Sequence, residues 1–176
     1  LFRANADALG PLPIIPEDLG VITPDVDALR HAFAFPGMRI LQFAWGEDQA
    51  AEQRFLPHRY EPDTVVYTGS HDNDTTVGWW ASAPEGTRHH LREYLATDGR
   101  AIHWDMIRAA CASVADTAVY PLQDVMGLDG AHRMNFPGQR EGWWAWRFAW
   151  EQLPAEAAAR LRRMGELYDR LPERGA

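Results

Sequence analysis

Short apolar runs alternate along the chain with longer stretches in which apolar residues recur at helical spacing. The short runs predict buried strands, because they contain β-branched and aromatic residues and are bounded by Pro, Gly or Asp. Their apolar pattern is continuous rather than alternating, which is typical of strands covered on both faces. The predicted strands cover 12–15, 39–43, 64–68 and 117–120.

Helices are predicted between these runs. Thr23, Pro24 and Asp25 form a strong helix start, with Thr23 as the N-cap and Pro24 at the first helical position. This helix is predicted to end near Phe33. Further helices are predicted from Pro84 to just before 98–99, over 102–113, from Pro154 to about 171, and at the start of the chain through 9–10.

The order of these elements favours a parallel sheet built from βα units. Ile14 and Ile40 are 26 residues apart and Ile40 and Val65 are 25 apart, whereas Val119 follows Val65 by 54, which leaves room for an extra helix. A complete (β/α)₈ barrel needs about 250 residues. The 176 residues are therefore expected to form one partial domain, 1–176, with about four βα units or half of such a barrel.

Composition narrows the possible functions. Apolar residues make up 46% of the chain and no run is long enough to cross a membrane. The net charge of −8 repels phosphate backbones, so nucleic acid is not an expected partner. All 17 basic residues are Arg, which removes lysine-based catalysis within these residues. The single cysteine, Cys111, is predicted to pack on an apolar helix face, and a reducing, cytoplasmic location is expected.

Acidic residues follow two of the predicted strands. Glu17 comes after the first strand and Asp72 after the third, 55 residues later. The carboxyl ends of parallel strands share one edge of a sheet, so the two side chains are expected to approach each other. Two carboxyls that flank a glycosidic bond can donate a proton and stabilise positive charge at the anomeric carbon. The alternative is structural, since a lone acid often caps a helix or a turn.

Other interpretations of the same segment stay open. His71, Asp72 and Asp74 are residue types that bind a divalent metal in hydrolases, although adjacent residues on an extended segment point to opposite sides. Ser70 beside His71 lacks the Gly-x-Ser-x-Gly elbow of a hydrolase nucleophile. Phe43, after the second strand, is placed either to stack on a sugar ring or to fill the core.

Several segments, taken together and in order, resemble the 4-α-glucanotransferases of glycoside hydrolase family 77, the amylomaltases or disproportionating enzymes. The likeness extends over essentially the whole chain, and its two most specific stretches are Glu-Asp-Leu-Gly and His-Asp-Asn-Asp-Thr. The matching segments are PEDLGVITP at 16–24, FPGM at 35–38, LQF at 41–43, VVYTGSHDNDTTVGW at 65–79, YPLQD at 120–124 and MNFPG at 134–138.

The resemblance implies that the chain is the C-terminal half of a (β/α)₈ TIM barrel and that the N-terminal half lies outside it. Glu17 would be the general acid/base, and Asp72 would stabilise the transition state and hold sugar hydroxyls rather than attack the sugar. His71 would bind the sugar in the donor subsite. Phe43 and Asn135 would position an acceptor sugar and exclude water. The nucleophilic Asp of the family lies in an Arg-x-Asp-His motif that this chain does not contain.

The implied reaction is a retaining double displacement that transfers α-1,4-glucan segments among maltooligosaccharides derived from starch or glycogen. It needs no cofactor and no metal, and the chain without its N-terminal half is expected to be inactive. Its rivals are a hydrolase of the wider amylase superfamily, a metal-dependent hydrolase and a non-catalytic sugar-binding fragment. The chain departs from the family pattern at Ser70, where Thr is usual, and at Trp143, where Asn is usual.

Overall fold

The centre of the computed structural model, which describes residues 1–46 and 53–172, is a parallel sheet of three strands. The strands are β1 (Gly37–Ile40), β2 (Thr64–Tyr67) and β3 (Thr117–Val119), in the order β1-β2-β3. Met38 pairs with Val65, and Val65 pairs with Thr117. Because all three strands run in one direction, the loops that leave them emerge at the same edge of the sheet.

Helices and short 3₁₀ turns connect and flank the strands. The helices are α1 (Phe2–Leu9), α2 (Pro24–Ala32), α3 (Thr76–Ser82), α4 (Glu85–Leu95), α5 (Ile102–Ala112), α6 (Leu122–Met126) and α7 (Ala157–Leu167). The 3₁₀ turns cover Leu41–Ala44, Gln53–Phe55, Pro57–Arg59, Gly130–His132 and Trp150–Gln152. In the described part of the chain, no helix combines the length and the apolar character that a membrane span requires.

Two clusters of buried side chains share helix α5. On one side, Met106 packs in a cluster with Val66 of β2 and with Trp45, all three essentially inaccessible to solvent. On the other side, Ile107 packs with Met164 of α7. A helix that is buried on two opposite faces shows apolar residues around most of its circumference, as α5 does. Helix α5 therefore forms the middle layer between the sheet and α7.

Several elements lie where the local pattern predicts them. β2 and β3 match the bounds of the predicted strands at 64–68 and 117–120 to within one residue. β2 is largely buried as predicted, but the prediction of a buried strand is wrong for β3, in which Thr117 and Val119 are exposed. Thr23 is the N-cap of α2, and its carbonyl accepts hydrogen bonds from the amides of Val26 and Asp27. Helix α5 matches the prediction for 102–113, and Cys111 packs in the second buried cluster as expected.

The predicted strand at 12–15 is wrong for the described structure, in which this segment joins no sheet. Pro13 carries no amide hydrogen, and Pro11 and Pro16 flank the segment, so the row of donors that a ladder needs is interrupted. The amide of Ile14 instead bonds back to the carbonyl of Leu12 at 2.9 Å. The described residues thus contain three of the four predicted strands. The remaining run is apolar but is interrupted by Pro, which disfavours a strand.

The bounds of three other elements differ from the predictions. The strand expected at 39–43 begins at Gly37 and ends at Ile40, because residues from Leu41 onward wind into a 3₁₀ turn. Helix α4 ends at Leu95, because Ala96 adopts the left-handed conformation with φ 50°, and it thus stops before the expected end at 98–99. Helix α7 is shorter at both ends than the predicted 154–171. The local pattern missed α3 and α6, which are seven and five residues long and so too short to show a helical period.

Candidate active site

The loop that follows β2 carries most of the predicted site residues. It runs from Gly69 to Thr75 and enters α3, whose N-cap Thr75 accepts a hydrogen bond from the amide of Gly78 through its hydroxyl at 3.1 Å. The Asn73 side chain closes a tight turn, because its Oδ1 accepts from the amide of Ser70 at 2.8 Å and from the Ser70 hydroxyl at 2.9 Å. This turn projects residues 71 and 72 away from the sheet.

His71 and Asp72 are about half exposed, with 52% and 49% of their side chains accessible. The Nε2 atom of His71 lies 3.4 Å from Oδ1 of Asp72. Asn135, on a distant loop, donates from Nδ2 to that same Oδ1 at 2.7 Å. Arg133 donates to the Asp72 carbonyl at 2.9 Å. Asp72 is therefore oriented by the loop around 133–135, while its side chain remains open to a ligand.

An open pocket of about 440 Å³ lies at the carboxyl-terminal edge of the sheet. Glu17 and His71 both line it, although they are 54 residues apart in sequence (71 − 17). Asp72 lies between two lining residues, His71 and Asn73, and its own side chain faces Asn135. The other walls are formed by Ile15, Met38, Tyr67, Gly69, Ser70, Asp74, Thr75, Val119, Tyr120, Pro121, Gln123, Arg133 and Met134.

Two tyrosines in the wall remain uncharged hydrogen-bond donors. Burial raises the pKa of the Tyr67 phenol. Burial, and then the hydrogen bond with Cys111, raise the pKa of the Tyr120 phenol. Since both groups keep their protons at neutral pH, the pocket combines neutral hydroxyl groups and carboxyl groups with apolar side chains. That combination suits a polyhydroxylated ligand with apolar ring faces.

Asp18 holds the Glu17 segment against the sheet. Its Oδ1 accepts from the Met38 amide at 2.7 Å and its Oδ2 pairs with the Arg39 guanidinium at 3.0 Å. Arg54 donates to the Asp18 carbonyl at 3.0 Å. The structural alternative, in which an acid after the first predicted strand caps the next helix, is wrong for Glu17 and for Asp18, because α2 starts at Pro24 with Thr23 as its cap. Asp18 instead caps the outer edge of β1.

Phe43 is not among the residues that line the Glu17 pocket. It lies on the 3₁₀ turn after β1, is 37% exposed, and contacts Phe55 edge-on with ring centroids 5.4 Å apart. It lines a separate hollow of about 370 Å³ together with Trp79 and Pro84. The structure thus brings Glu17 and His71 to one pocket and Asp72 and Asn135 together beside it, with Phe43 apart from them.

The metal and Ser–His interpretations gain no support from the arrangement. In residues 1–46 and 53–172, no three His, Cys, Asp or Glu side chains are grouped as ligands for one ion. Asp74, which the metal interpretation requires beside His71, directs Oδ1 to the Thr75 amide at 2.7 Å. The Ser70 hydroxyl donates to Asn73 rather than to His71.

The sequence pattern missed three residues that support the site. Arg133 links the two loops, since it also donates to the Asn135 carbonyl at 2.8 Å. Gln42 donates from its side chain to the Asp74 carbonyl at 2.8 Å. Asp124 is buried beneath the loop and bonds to Thr68 and Thr76. The motif stretches contained Gln42 and Asp124 but offered no local sign of these long-range contacts.

Trp143, one of the two departures from the family pattern, packs within the loop that also carries Asn135. Its indole N–H donates to the Gln139 side chain at 3.0 Å, and its ring lies 5.8 Å from that of Phe136. The neighbouring Trp144 ring lies 4.9 Å from the imidazole of His71. The tryptophan pair therefore places one ring inside the loop and the other beside the predicted site.

Enzymes built from βα units place their active sites at the carboxyl-terminal ends of the strands, where this pocket lies. The family model described as 4-alpha-glucanotransferase, of glycoside hydrolase family 77, matches residues 1–153. The chain belongs to this family.

Individual relatives agree with this assignment. The chain is 45% identical over 179 residues to a 4-alpha-glucanotransferase of Thermus thermophilus, a match that covers 97% of this chain and 35% of that protein. It is also 45% identical to a chloroplastic/amyloplastic 4-alpha-glucanotransferase of Oryza sativa subsp. japonica, covering 97% of this chain and 29% of that protein.

A solved structure is also similar. An amylomaltase from Streptococcus agalactiae in complex with acarbose superimposes with a TM-score of 0.91 at 31% identity, covering 98% of this chain and 35% of that one. The chain has the α/β fold of this amylomaltase. It spans about a third of the length of the relatives that it matches.

Proposed function

We propose that this chain forms the C-terminal half of the (β/α)₈ barrel of a 4-α-glucanotransferase, which transfers α-1,4-glucan segments between maltooligosaccharides. The shared pocket of Glu17 and His71, with Asp72 held beside it by Asn135, is the observation that carries the proposal. Membership of the family supports the reaction, and the acarbose complex of the Streptococcus agalactiae relative supports sugar binding at this fold.

Glu17 is the proposed general acid and base. It is exposed in an open pocket and its backbone is anchored through the neighbouring Asp18, so a glycosidic oxygen can reach the carboxyl. Glu17 protonates that oxygen while the nucleophilic Asp of the N-terminal half attacks the anomeric carbon with inversion. It then removes the proton from the 4-hydroxyl of an acceptor sugar, whose attack inverts the centre again and gives net retention.

Asp72 is the proposed stabiliser of the oxocarbenium-like transition state. Its carboxylate receives one hydrogen bond from Asn135 and keeps about half of its surface free for sugar hydroxyls. Charge stabilisation of this kind depends on a carboxylate that is oriented before the reaction begins. His71, next to Asp72, donates to the donor sugar, and Asn135 and Phe43 belong to the part of the enzyme that favours an acceptor sugar over water.

The N-terminal half of the barrel is the proposed partner of this chain. β3 lies at an edge of the described sheet, and Val119 on it is 39% exposed. An unpaired parallel edge needs another strand or a cover. The chain without its partner half lacks the nucleophile and is expected to be inactive. We place the enzyme in the cytoplasm, although the rice relative is named for plastids.

The test of this function is Glu17→Gln in the full-length protein. Disproportionation of maltotriose is expected to fall by about 10²–10⁴-fold, the usual contribution of a positioned general acid. Cleavage of a donor with a good leaving group should lose much less, because that step needs no proton from Glu17. Glu93→Gln, at an exposed acid on α4, is the matched control and should keep full activity.

Turnover of maltotriose near the unsubstituted rate would remove Glu17 from this role. The products separate the nearest rival function. A transferase converts maltotriose into a ladder of longer and shorter oligosaccharides, whereas a hydrolase of the amylase superfamily yields shortened products alone.

A further inference from the structure

A buried carboxylate joins the two ends of the loop that carries His71 and Asp72. Asp124, on α6, is 1% exposed. Its Oδ2 accepts from the Thr68 hydroxyl at 2.5 Å and from the Thr76 hydroxyl at 2.8 Å, and its Oδ1 accepts from the Thr76 amide at 2.7 Å. Its partners in this network are thus two hydroxyls and an amide, with no cation among them.

The two threonines lie at the two ends of the loop that carries His71 and Asp72. Thr68 directly follows β2, and Thr76 is the first residue of α3. Both are fully buried. The residues between them form the loop with His71 and Asp72. One carboxyl group therefore holds the point where the loop leaves the sheet and the point where it enters the helix.

We propose that Asp124 is a positioning residue, which clamps the base of this loop and thereby sets the place of Asp72 relative to the pocket. The inference rests on the proposed function. The tip of the loop is held separately by Arg133 and Asn135. With base and tip both held, the Asp72 carboxylate is fixed before substrate arrives, as electrostatic stabilisation of a transition state requires.

An acid at this position has an energetic cost. A carboxylate loses its hydration when it is buried, and the hydrogen bonds that it accepts offset that loss. Burial, and to a lesser degree the charge of Asp74, raise the pKa of Asp124 in spite of three hydrogen bonds that lower it. A carboxylate is nevertheless the group that can accept from three donors on two separate elements.

Removal of one arm of the clamp is the sharpest test, since Asp124→Ala is expected to disturb folding. Thr68→Val in the full-length protein deletes the hydroxyl at nearly constant volume. We expect kcat for maltotriose transfer to fall about tenfold with KM changed less than about twofold, because a displaced catalytic group costs mainly transition-state binding. Thr68→Ser keeps the hydroxyl and should restore most of the rate.

Thr64→Val is the matched control. Thr64 is the first residue of β2, four positions before Thr68, is 2% exposed, and is not part of the clamp. It should keep the unsubstituted kcat. A kcat for Thr68→Val within twofold of the unsubstituted protein, or a loss that Thr64→Val reproduces, would overturn the proposal.

Amide hydrogen exchange gives a second readout that does not depend on the reaction. Exchange across residues 69–75 should accelerate in Thr68→Val and remain unchanged in Thr64→Val. Absence of transfer by the unsubstituted full-length protein would refute the proposed function while leaving this readout intact. Unchanged exchange in Thr68→Val would refute the clamp while leaving the proposed function standing.

Discussion

The Asp18 contacts lead to a quantitative prediction for Asp18→Ala in the full-length protein. The substitution removes the acceptor of the Met38 amide and the partner of Arg39 in one step. Both side chains of the ion pair are largely shielded from water, with 5% of Asp18 and 14% of Arg39 exposed. Solvent therefore screens the pair weakly, and the screening that reduces surface pairs to almost nothing does not apply here.

The expected cost follows from what the substitution leaves behind. Removal of one partner of a buried pair costs about 3–5 kcal/mol, and a buried amide without an acceptor costs about 1–3 kcal/mol. These two costs overlap, and Arg39 keeps its bond to the Met38 carbonyl at 2.7 Å. We therefore expect a loss of about 3 kcal/mol in the free energy of unfolding. Asp18→Asn keeps an acceptor for the amide and should lose about half as much.

Urea unfolding at neutral pH measures this difference. Hydrogen exchange in β1 adds a local readout, because the Met38 amide loses its acceptor in the Ala variant. Glu166→Ala is the control. It breaks an exposed i,i+4 pair with Arg162, in which 49% and 62% of the side chains are accessible, and should cost no more than about 0.5 kcal/mol. A loss below about 1 kcal/mol for Asp18→Ala, or one no larger than that of the control, would refute the reasoning.

Two further predictions concern residues beside the loop that follows β2. Gly78→Ala should lower the thermal unfolding midpoint clearly, because the new Cβ would lie 2.6 Å from Oδ1 of Asp74 and 2.7 Å from the Cα of Gly130. Gly20→Ala is the control. A Cβ at Gly20 meets nothing within 4 Å, so this variant should be nearly neutral. Equal midpoints for the two variants would contradict this packing. Because the pKa of Asp124 is raised, its carboxyl group binds a proton more tightly in the folded state than in the unfolded state. The contribution of Asp124 to the free energy of unfolding is therefore greatest in acid and is lost as pH rises through the raised pKa. Unfolding measured at a series of pH values should show a weaker dependence of stability on pH in Asp124→Asn. An unchanged dependence would show that another group causes it.

Local patterns predicted the elements whose burial is periodic or continuous. β2 is buried along most of its length, and the apolar run at 64–68 indicates this without reference to any other segment. The start of α2 follows from Thr23 and Pro24, because a capping residue and a fixed φ act on adjacent backbone. The run at 12–15 has the same apolar character, but its prolines remove the donors that a ladder needs.

The candidate site was predictable in part. The sequence predicts that Glu17 and Asp72 meet because each follows a predicted strand, but the segment before Glu17 joins no sheet in the described residues. Glu17 lines one pocket with His71, and Asp72 lies beside that pocket. The role of Phe43 stays a prediction, since its hollow is separate from that pocket. The catalytic roles of Glu17 and Asp72 likewise stay predictions until the variants are measured.

Residue order therefore accounts for β2, β3 and the larger helices, and for the place of His71 and Asp72 in the loop after β2. It does not reveal which acid is buried and what each one holds. Asp18 reaches a partner 20 residues away, Asp124 reaches partners 48 and 56 residues away, and Arg133 bonds to a carbonyl 61 residues away. Desolvation and hydrogen bonding depend on every atom that surrounds a carboxyl group, and those atoms come together when distant segments pack. Three acids that look alike in the sequence thus differ in the folded chain. Asp18 binds the edge of β1, Asp124 is the proposed clamp of the loop, and Glu17 is exposed in the pocket.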